Sequence, residues 1–275
     1  MPELLGRGAA GVVQSALVTA VLGRAAVTPV LAAPDPRSEQ VTQLLLGEGA
    51  DQLAREGDWH RVRLRRDGYE GWAHAGYLRA CPTAEADRWQ QESWWSAGAM
   101  LTVDGHMLPL DPGSRVLPLA EGSVELPDGR HATVASGSVG PPERMIAESR
   151  RERAEEWALS RFAGAPYQWG GMTPRGVDCS GLVQMTFLLR GVSLPRDARD
   201  QAESGRAVIP DAVAPSDLLF FAEREGRIAH VAFASATGGL VHATLACGGV
   251  LAEPWGPGTR AESLRARLVA ARRIE

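Results

Sequence analysis

An α+β fold, with two small β-rich segments ahead of a larger mixed domain, is what this chain of 275 residues predicts. Three observations predict it. The first half alternates apolar and polar residues between turn-forming dipeptides, the period of half-buried strands. A charged stretch with helical spacing begins near residue 143. Beyond it, an apolar run after Cys179 reads as a buried helix, and strand-length apolar runs follow it. Composition shifts near residues 81–100 and 137–142 give three expected parts: 1–82 with an amino-terminal extension, 83–140, and 141–275.

Taken in order, Arg7–Gly23 (RGAAGVVQSALVTAVLG) is read as a helix or strand of the first part rather than a signal peptide. Its charge is offset by Glu3, its apolar core carries Gln14 and Ser15, and the small-residue stretch Val30–Pro34 lies far downstream. A cytoplasmic location is therefore favoured over export. From Ala25 to Ala80 the pattern is β-like. Trp59, Val62 and Leu64 lead to a hairpin signal at Asp67-Gly68, and the strand resumes at Tyr69 and Trp72. The Trp-rich piece around Trp89, Trp94 and Trp95 is either a packed linker or the start of the second module. Residues 100–137 read as short strands between turns, and Gly137–Glu143 (GSVGPPE) as a linker. A helix is expected from Glu143 to a stop at Gly164, and a second from Cys179 to Gly191. Strands are expected at Asp217–Phe221, Ile228–Ala234 and Leu240–Thr244, the last two joined at Gly238-Gly239.

Bulk properties narrow the function. Hydrophobic residues make up 44% of the chain and the formal net charge is −4. That balance gives no support to nucleic-acid or anionic-membrane binding. No apolar stretch approaches the ~20 residues of a membrane-spanning helix. Three scattered cysteines make no disulfide scaffold. With neither a CxxC pair nor an HExxH motif, no metal or other cofactor is expected.

The chemistry gathers in the last part. Cys179 stands between Asp178 and Ser180, behind the loop Gly170–Gly176 and at the start of an apolar helix. A thiol with a pKa of roughly 8.5 needs help to become a thiolate near neutrality. Unpaired N–H groups and the helix dipole at that address favour a negative sulfur. Attack also needs a base. His230 and His242 lie about six residues either side of Ala236, so a hairpin centred there would make them neighbours on one face. One imidazole would face the thiol and the other would hold it in the correct tautomer. A one-residue slip would separate them. Local context leaves the alternative of a small buried cysteine open.

The ordered segments PYQWGG, DCSGLV, LPRDARDQ, PSDLLFF, AHVAF and HAT resemble the NlpC/P60 family of cell-wall cysteine peptidases, over residues 143–275. The resemblance implies a papain-like catalytic fold with Cys179 as nucleophile, His230 as base, His242 as the orienting third residue, and Tyr167 near the oxyanion. GYEGWAHAGYL resembles the closing strand of bacterial SH3 modules, and residues 98–138 are read as a second, degenerate copy. Two SH3-like β-barrel modules before such a domain resemble the subfamily that cleaves γ-D-glutamyl–diamino acid bonds in murein stem peptides. In that subfamily the first module closes the cleft and holds a free L-Ala amine. The match assigns this to Tyr77 and, as the acid, Glu48, with Asp197 and Asp178 contributing. Ser180 and Arg196 are assigned to the D-Glu carboxylate, although relatives often carry a hydroxyl where this chain has Ala198. The expected partner is a murein stem peptide, with neither nucleic acid nor membrane, and the enzyme is expected to be a monomer. The alternatives are a cysteine amidase or acyltransferase acting on another amide or a lipid, and a non-catalytic murein-binding SH3 protein.

Overall fold

The computed structural model describes residues 20–223 and 226–275. The reading of Arg7–Gly23 lies outside these residues except for Ala20–Gly23, a fully buried strand (β1). Val27–Leu31 (β2), Gln40–Leu45 (β3), Gly49–Glu56 (β4), Trp59–Leu64 (β5), Glu70–His74 (β6) and Leu78–Cys81 (β7) complete an antiparallel sheet in the order β3-β2-β6-β5-β4-β1-β7. In β5 the side chains of His60, Val62 and Leu64 point inward and their neighbours outward, the period read from sequence. Val21, Val30, Leu44, Ala50, Val62, Leu64 and Ala73 fill the interior.

The Trp-rich piece is a linker that packs. Thr83–Glu92 forms a helix (α1) that buries Ala86 and Trp89 against Ala20, Leu22, Cys81 and Leu117. This ties the first sheet to a second one. Trp94–Val103 (β8), His106–Leu110 (β9), Arg115–Pro118 (β10), Ser123–Glu125 (β11) and His131–Gly140 (β12) run in the order β10-β11-β12-β8-β9. A further β10–β8 pairing closes the sheet on itself. Leu46, in the turn after β3, sits in this second core beside Leu101, Val116 and Val124.

Two boundaries differ from expectation. Gly137–Glu143 is not free linker: its first residues finish β12, and Pro142 opens the helix Pro142–Ser149 (α2). Pro at a helix start loses no hydrogen bond, so the proline pair marks a junction rather than a spacer. The single helix expected from Glu143 to Gly164 is two, α2 and Ala154–Phe162 (α3). The break is held from outside the segment, because Arg190 Nη1 donates to the carbonyls of Ser149 (2.6 Å) and Glu152 (3.1 Å). Glu156 then restarts the helix by accepting the Arg153 backbone N–H at 3.3 Å and pairing with its guanidinium.

The last part packs a helix on a sheet. Two-residue strands Met172–Thr173 (β13) and Gly176–Val177 (β14) lead into Cys179–Leu188 (α4). Ala198–Gln201 (α5) and Arg206–Ala207 (β15) follow. Leu218–Ala222 (β16), Ile228–Ala234 (β17), Gly239–Thr244 (β18), Gly249–Pro254 (β19) and Leu268–Arg273 (β20) form an antiparallel sheet in the order β15-β20-β16-β17-β18-β19. Every residue of α4 is buried, as its all-round apolar pattern requires. Phe187 meets Phe233 of β17 with ring centroids 6.0 Å apart. Among the described residues, no helix is long and apolar enough to cross a membrane.

Candidate active site

The loop before α4 is a close-packed cradle. Gly170 has φ +71°, and a Cβ there would lie 2.5 Å from the carbonyl oxygen of Gln40. A Cβ on Gly181 would stand 2.1 Å from that of Gly171. Glycine is needed at both places because the first module and the loop press directly on the helix start. Asp178 caps the helix by accepting the Gly181 N–H at 2.7 Å, and it also accepts the Gly170 N–H at 2.8 Å. Helix start and glycine loop thus share one carboxylate.

Cys179 is 7% exposed at the first helical turn. Its sulfur lies within reach of the backbone N–H groups of Val231 and Ser180. Sulfur therefore sits against β17 beside the peptide unit that joins His230 to Val231. The helix start alone predicted a thiol of lowered pKa. The structure reverses that balance: burial, and then the charge of Asp178, push the thiol up to about 12, against the two N–H groups and Arg196. The resting nucleophile is a neutral thiol, because its helix is capped by a carboxylate and closed off from water. Tyr167 lines the same cleft. Burial, and then Cys179 and Asp178, hold its phenol well above the usual range, so it stays a donor.

The two histidines come together. His230 Nε2 and His242 Nδ1 are 2.9 Å apart. The register pairs Phe233 with Val241 and Ala234 with Leu240. Continued, it makes His230 and His242 diagonal neighbours with the same parity, which keeps them on one face. His242 Nε2 lies 3.0 Å from Glu253 Oε2 on β19, and Arg260 pairs with the same oxygen. Burial lowers the pKa of both rings. His230 falls to about 3, with the charges of His242, Arg267 and Arg260 acting in the same direction. For His242, Glu253 opposes the drop. With Glu253 Oε2 as the acceptor, held also by Arg260, the proton of His242 lies on Nε2. His242 Nδ1 then accepts from His230 Nε2–H, which leaves His230 Nδ1 as the basic nitrogen.

A cleft of about 380 Å³ opens over Cys179, with Glu39, Tyr69, Tyr167, Trp169, Ser180 and Asp197 in its walls. The first module supplies one wall through Glu39 and Tyr69. Trp169 Nε1 donates to Glu39 Oε1 at 2.6 Å, and Tyr69 Oη donates to the carboxylate of Asp197 at 3.3 Å. Burial raises the pKa of Asp197, with Arg196 opposing, and burial raises that of Tyr69 to about 12.

Tyr77 and Glu48 are not in this cleft. Tyr77 lines a separate depression with Pro29, Leu31, Pro36, Trp59 and His74. Glu48 is buried against Arg66, 2.6 Å from Oε2 to Nη1, and accepts the Leu45 N–H. The wall residues that the sequence reading missed are Tyr69, directly after the Asp67-Gly68 turn, Glu39 at the start of β3, and Trp169 within PYQWGG. Arg196 lies at the cleft wall, but its donors are turned inward. Nε reaches Thr42, Nη1 reaches Asp178 and Ser180, and Nη2 reaches Asp178 and Gly171. Asp178 and Ser180 are held in the same network, and Ser180 Oγ lies 3.3 Å from Asp178 Oδ1. The direct assignment of Arg196 to a substrate carboxylate therefore does not fit, since each guanidinium nitrogen already has acceptors. The partner of Arg196 is buried Asp178, at 2.6 Å, and Asp197 keeps a face on the cleft.

Comparison with known proteins gives a consistent set of likenesses. The model of the NlpC/P60 family matches residues 164–262, and that of the bacterial dipeptidyl-peptidase SH3 domain matches residues 30–76. The chain is 45% identical to the gamma-D-glutamyl-L-lysine dipeptidyl-peptidase of Bacillus subtilis, over 73% of this chain and 71% of that protein. It is 30% identical to dipeptidyl-peptidase 6 of Lysinibacillus sphaericus, over 69% and 77% respectively. In fold it is similar to the crystal structure of an NlpC/P60 family protein from Bacillus cereus, with a TM-score of 0.75 at 22% identity, covering 93% of this chain and 99% of that one.

Proposed function

This chain belongs to the NlpC/P60 family, and from that premise we propose that it hydrolyses the γ-D-glutamyl–diamino acid bond of murein stem peptides that carry a free amino-terminal L-Ala. It is a cysteine peptidase acting on peptidoglycan peptides. The observation that carries the finer reading is the wall built by the first module. Glu39, Tyr69 and Asp197 face a cleft that begins at Cys179, and two of the three are carboxylic acids. A cationic α-amine fits such a wall, because charge-assisted hydrogen bonds replace the water it loses. An acylated amine has no charge to offer and adds bulk where the module stands.

In the proposed reaction the Cys179 S–H proton passes to His230 Nδ1 as sulfur attacks the γ-carbonyl carbon. The tetrahedral oxygen is stabilised by the Cys179 N–H and the Tyr167 hydroxyl, each donor contributing about 3 kcal/mol where such groups have been removed. Collapse breaks the C–N bond, and His230 gives its proton to the departing α-amine of the diamino acid. Water, deprotonated by the same imidazole, then releases the dipeptide and regenerates the thiol. Burial favours the neutral form of both thiol and imidazole, which supports a proton transfer that accompanies attack.

The test compares L-Ala-γ-D-Glu-diaminopimelate with its N-acetylated form. Turnover of the free amine with a kcat/KM on the order of a hundredfold or more above the acetylated peptide is expected from loss of one buried charged contact. Equal turnover of the two would reject the amine site.

A further inference from the structure

The chain of polar contacts does not stop at the second imidazole. Glu253 on β19 is 7% exposed, its Oε2 is 3.0 Å from His242 Nε2, and Arg260 pairs with the same carboxylate oxygen. His242 is itself 1% exposed. A carboxylate that deep serves more than packing only if its charge is used, because leaving it unpaired is costly. The direction of its contact matters here. An acceptor at His242 Nε2 dictates which nitrogen of each ring holds a proton, and therefore which nitrogen of His230 is basic.

We propose that Glu253 and Arg260 are positioning residues of the reaction: the carboxylate locks both imidazoles into one tautomer sequence, and the guanidinium sets how readily that pair takes a proton. This rests on the reading of His230 as the base. In the proton-transfer step the S–H bond of Cys179 breaks and an Nδ1–H bond forms on His230. The His230 Nε2–H stays hydrogen-bonded to His242 Nδ1, and the His242 Nε2–H keeps Glu253 as its acceptor. The new positive charge is met through His242 by the carboxylate. Arg260 works against it, and so does the charge of Arg267, whose Nε is held by the Ala222 carbonyl. Phe221 covers the His230 ring at a centroid distance of 5.8 Å and brings no charge. The groups around the pair thus divide into one that favours the imidazolium and two that oppose it.

The signs give a test that a purely structural role would fail. Glu253→Gln removes the favourable charge, and its amide can present a donor where an acceptor stood. The expected result is a kcat lowered on the order of tenfold to a hundredfold with KM nearly unchanged, and an acid limb of the rate profile displaced to lower pH. Glu253→Asp restores part of the rate. Arg260→Gln displaces the acid limb to higher pH. Loss of folded protein would lower the rate alike at every pH and displace neither limb. Long-range proton–nitrogen NMR of the histidine rings in the resting enzyme gives a second, substrate-free readout. Wild type should show His242 protonated on Nε2 only, and Glu253→Gln should show a mixture. Displacements of equal sign in the two variants, or an unchanged His242 tautomer in Glu253→Gln, would overturn the proposal. If the wild-type tautomers are as expected while the stem peptide is not cleaved, the substrate reading fails and the positioning role stands.

Discussion

At Cys179 the forces on one sulfur atom decide the chemistry. Two backbone N–H groups and Arg196 favour a thiolate, whereas burial and Asp178 favour the thiol, and the thiol prevails. Reaction with iodoacetamide should show this directly. With a thiol pKa near 12 the alkylation rate rises with each pH unit from 6 to 9 by about a factor of ten, since only the thiolate reacts. A preformed thiolate–imidazolium pair would give a plateau across that range, and a measured plateau would refute the neutral resting state. The sequence shows why this could be read only halfway. Asp178 next to Cys179 is visible as an N-cap, and so is the dipole that follows. That Asp178 stands beside a sulfur cut off from water depends on the glycine loop and on Gln40 of a distant module. His230 and His242 were legible together because even spacing about a turn preserves parity. Glu253 was not, because β18 reaches β19 through a 3-10 turn, Leu245–Cys247, ahead of Gly248, so the glycine pair alone does not set the register that brings Glu253 beside His242.

At the scale of the element, the hairpin β5–β6 carries the specificity argument. Its turn at Asp67-Gly68 reaches the catalytic domain: Asp67 Oδ2 accepts from Gln184 Nε2 at 2.8 Å, and the Arg66 carbonyl accepts from Ser193 Oγ at 3.0 Å. Tyr69 is delivered to Asp197 by this docking, while Tyr77, at the other end of the same motif, lines the separate depression with Trp59 and His74. Alternation identifies the strand and its inward face equally well for either tyrosine. It says nothing of which end of the strand meets another domain, and the choice of Tyr77 failed for that reason. The two positions are separable by experiment. Tyr69→Phe removes a hydrogen bond to a carboxylate, a loss of roughly 1.5–3 kcal/mol, or about ten- to a hundredfold in kcat/KM for the free-amine peptide. Tyr77→Phe should leave kcat/KM unchanged. The reverse ranking would return the amine site to the depression around Trp59.

At the scale of the whole molecule, the three parts share core rather than merely touching. Leu45 of the first module is fully buried within the cluster formed by α4 and the catalytic sheet, and Leu46, the next residue, belongs to the core of the second. Gln43 Oε1 accepts the Met172 N–H at 2.9 Å, and Arg175 Nε meets Asp111 at 2.9 Å. Gly113 marks where the three converge. Its φ is +89°, and a Cβ added there would lie 2.5 Å from Met185 Cε of α4 and 3.1 Å from Leu45 Cδ1. Gly113→Ala therefore puts a side chain at a left-handed backbone position and crowds the end of Met185, which can swing aside, so the cost is mainly that of the backbone, about 1–2 kcal/mol. Denaturant unfolding should show one cooperative transition, moved to lower midpoint with its slope unchanged. Two separated transitions, with the catalytic part retaining wild-type stability, would mean that the modules are independent beads and that the first can leave the cleft it closes.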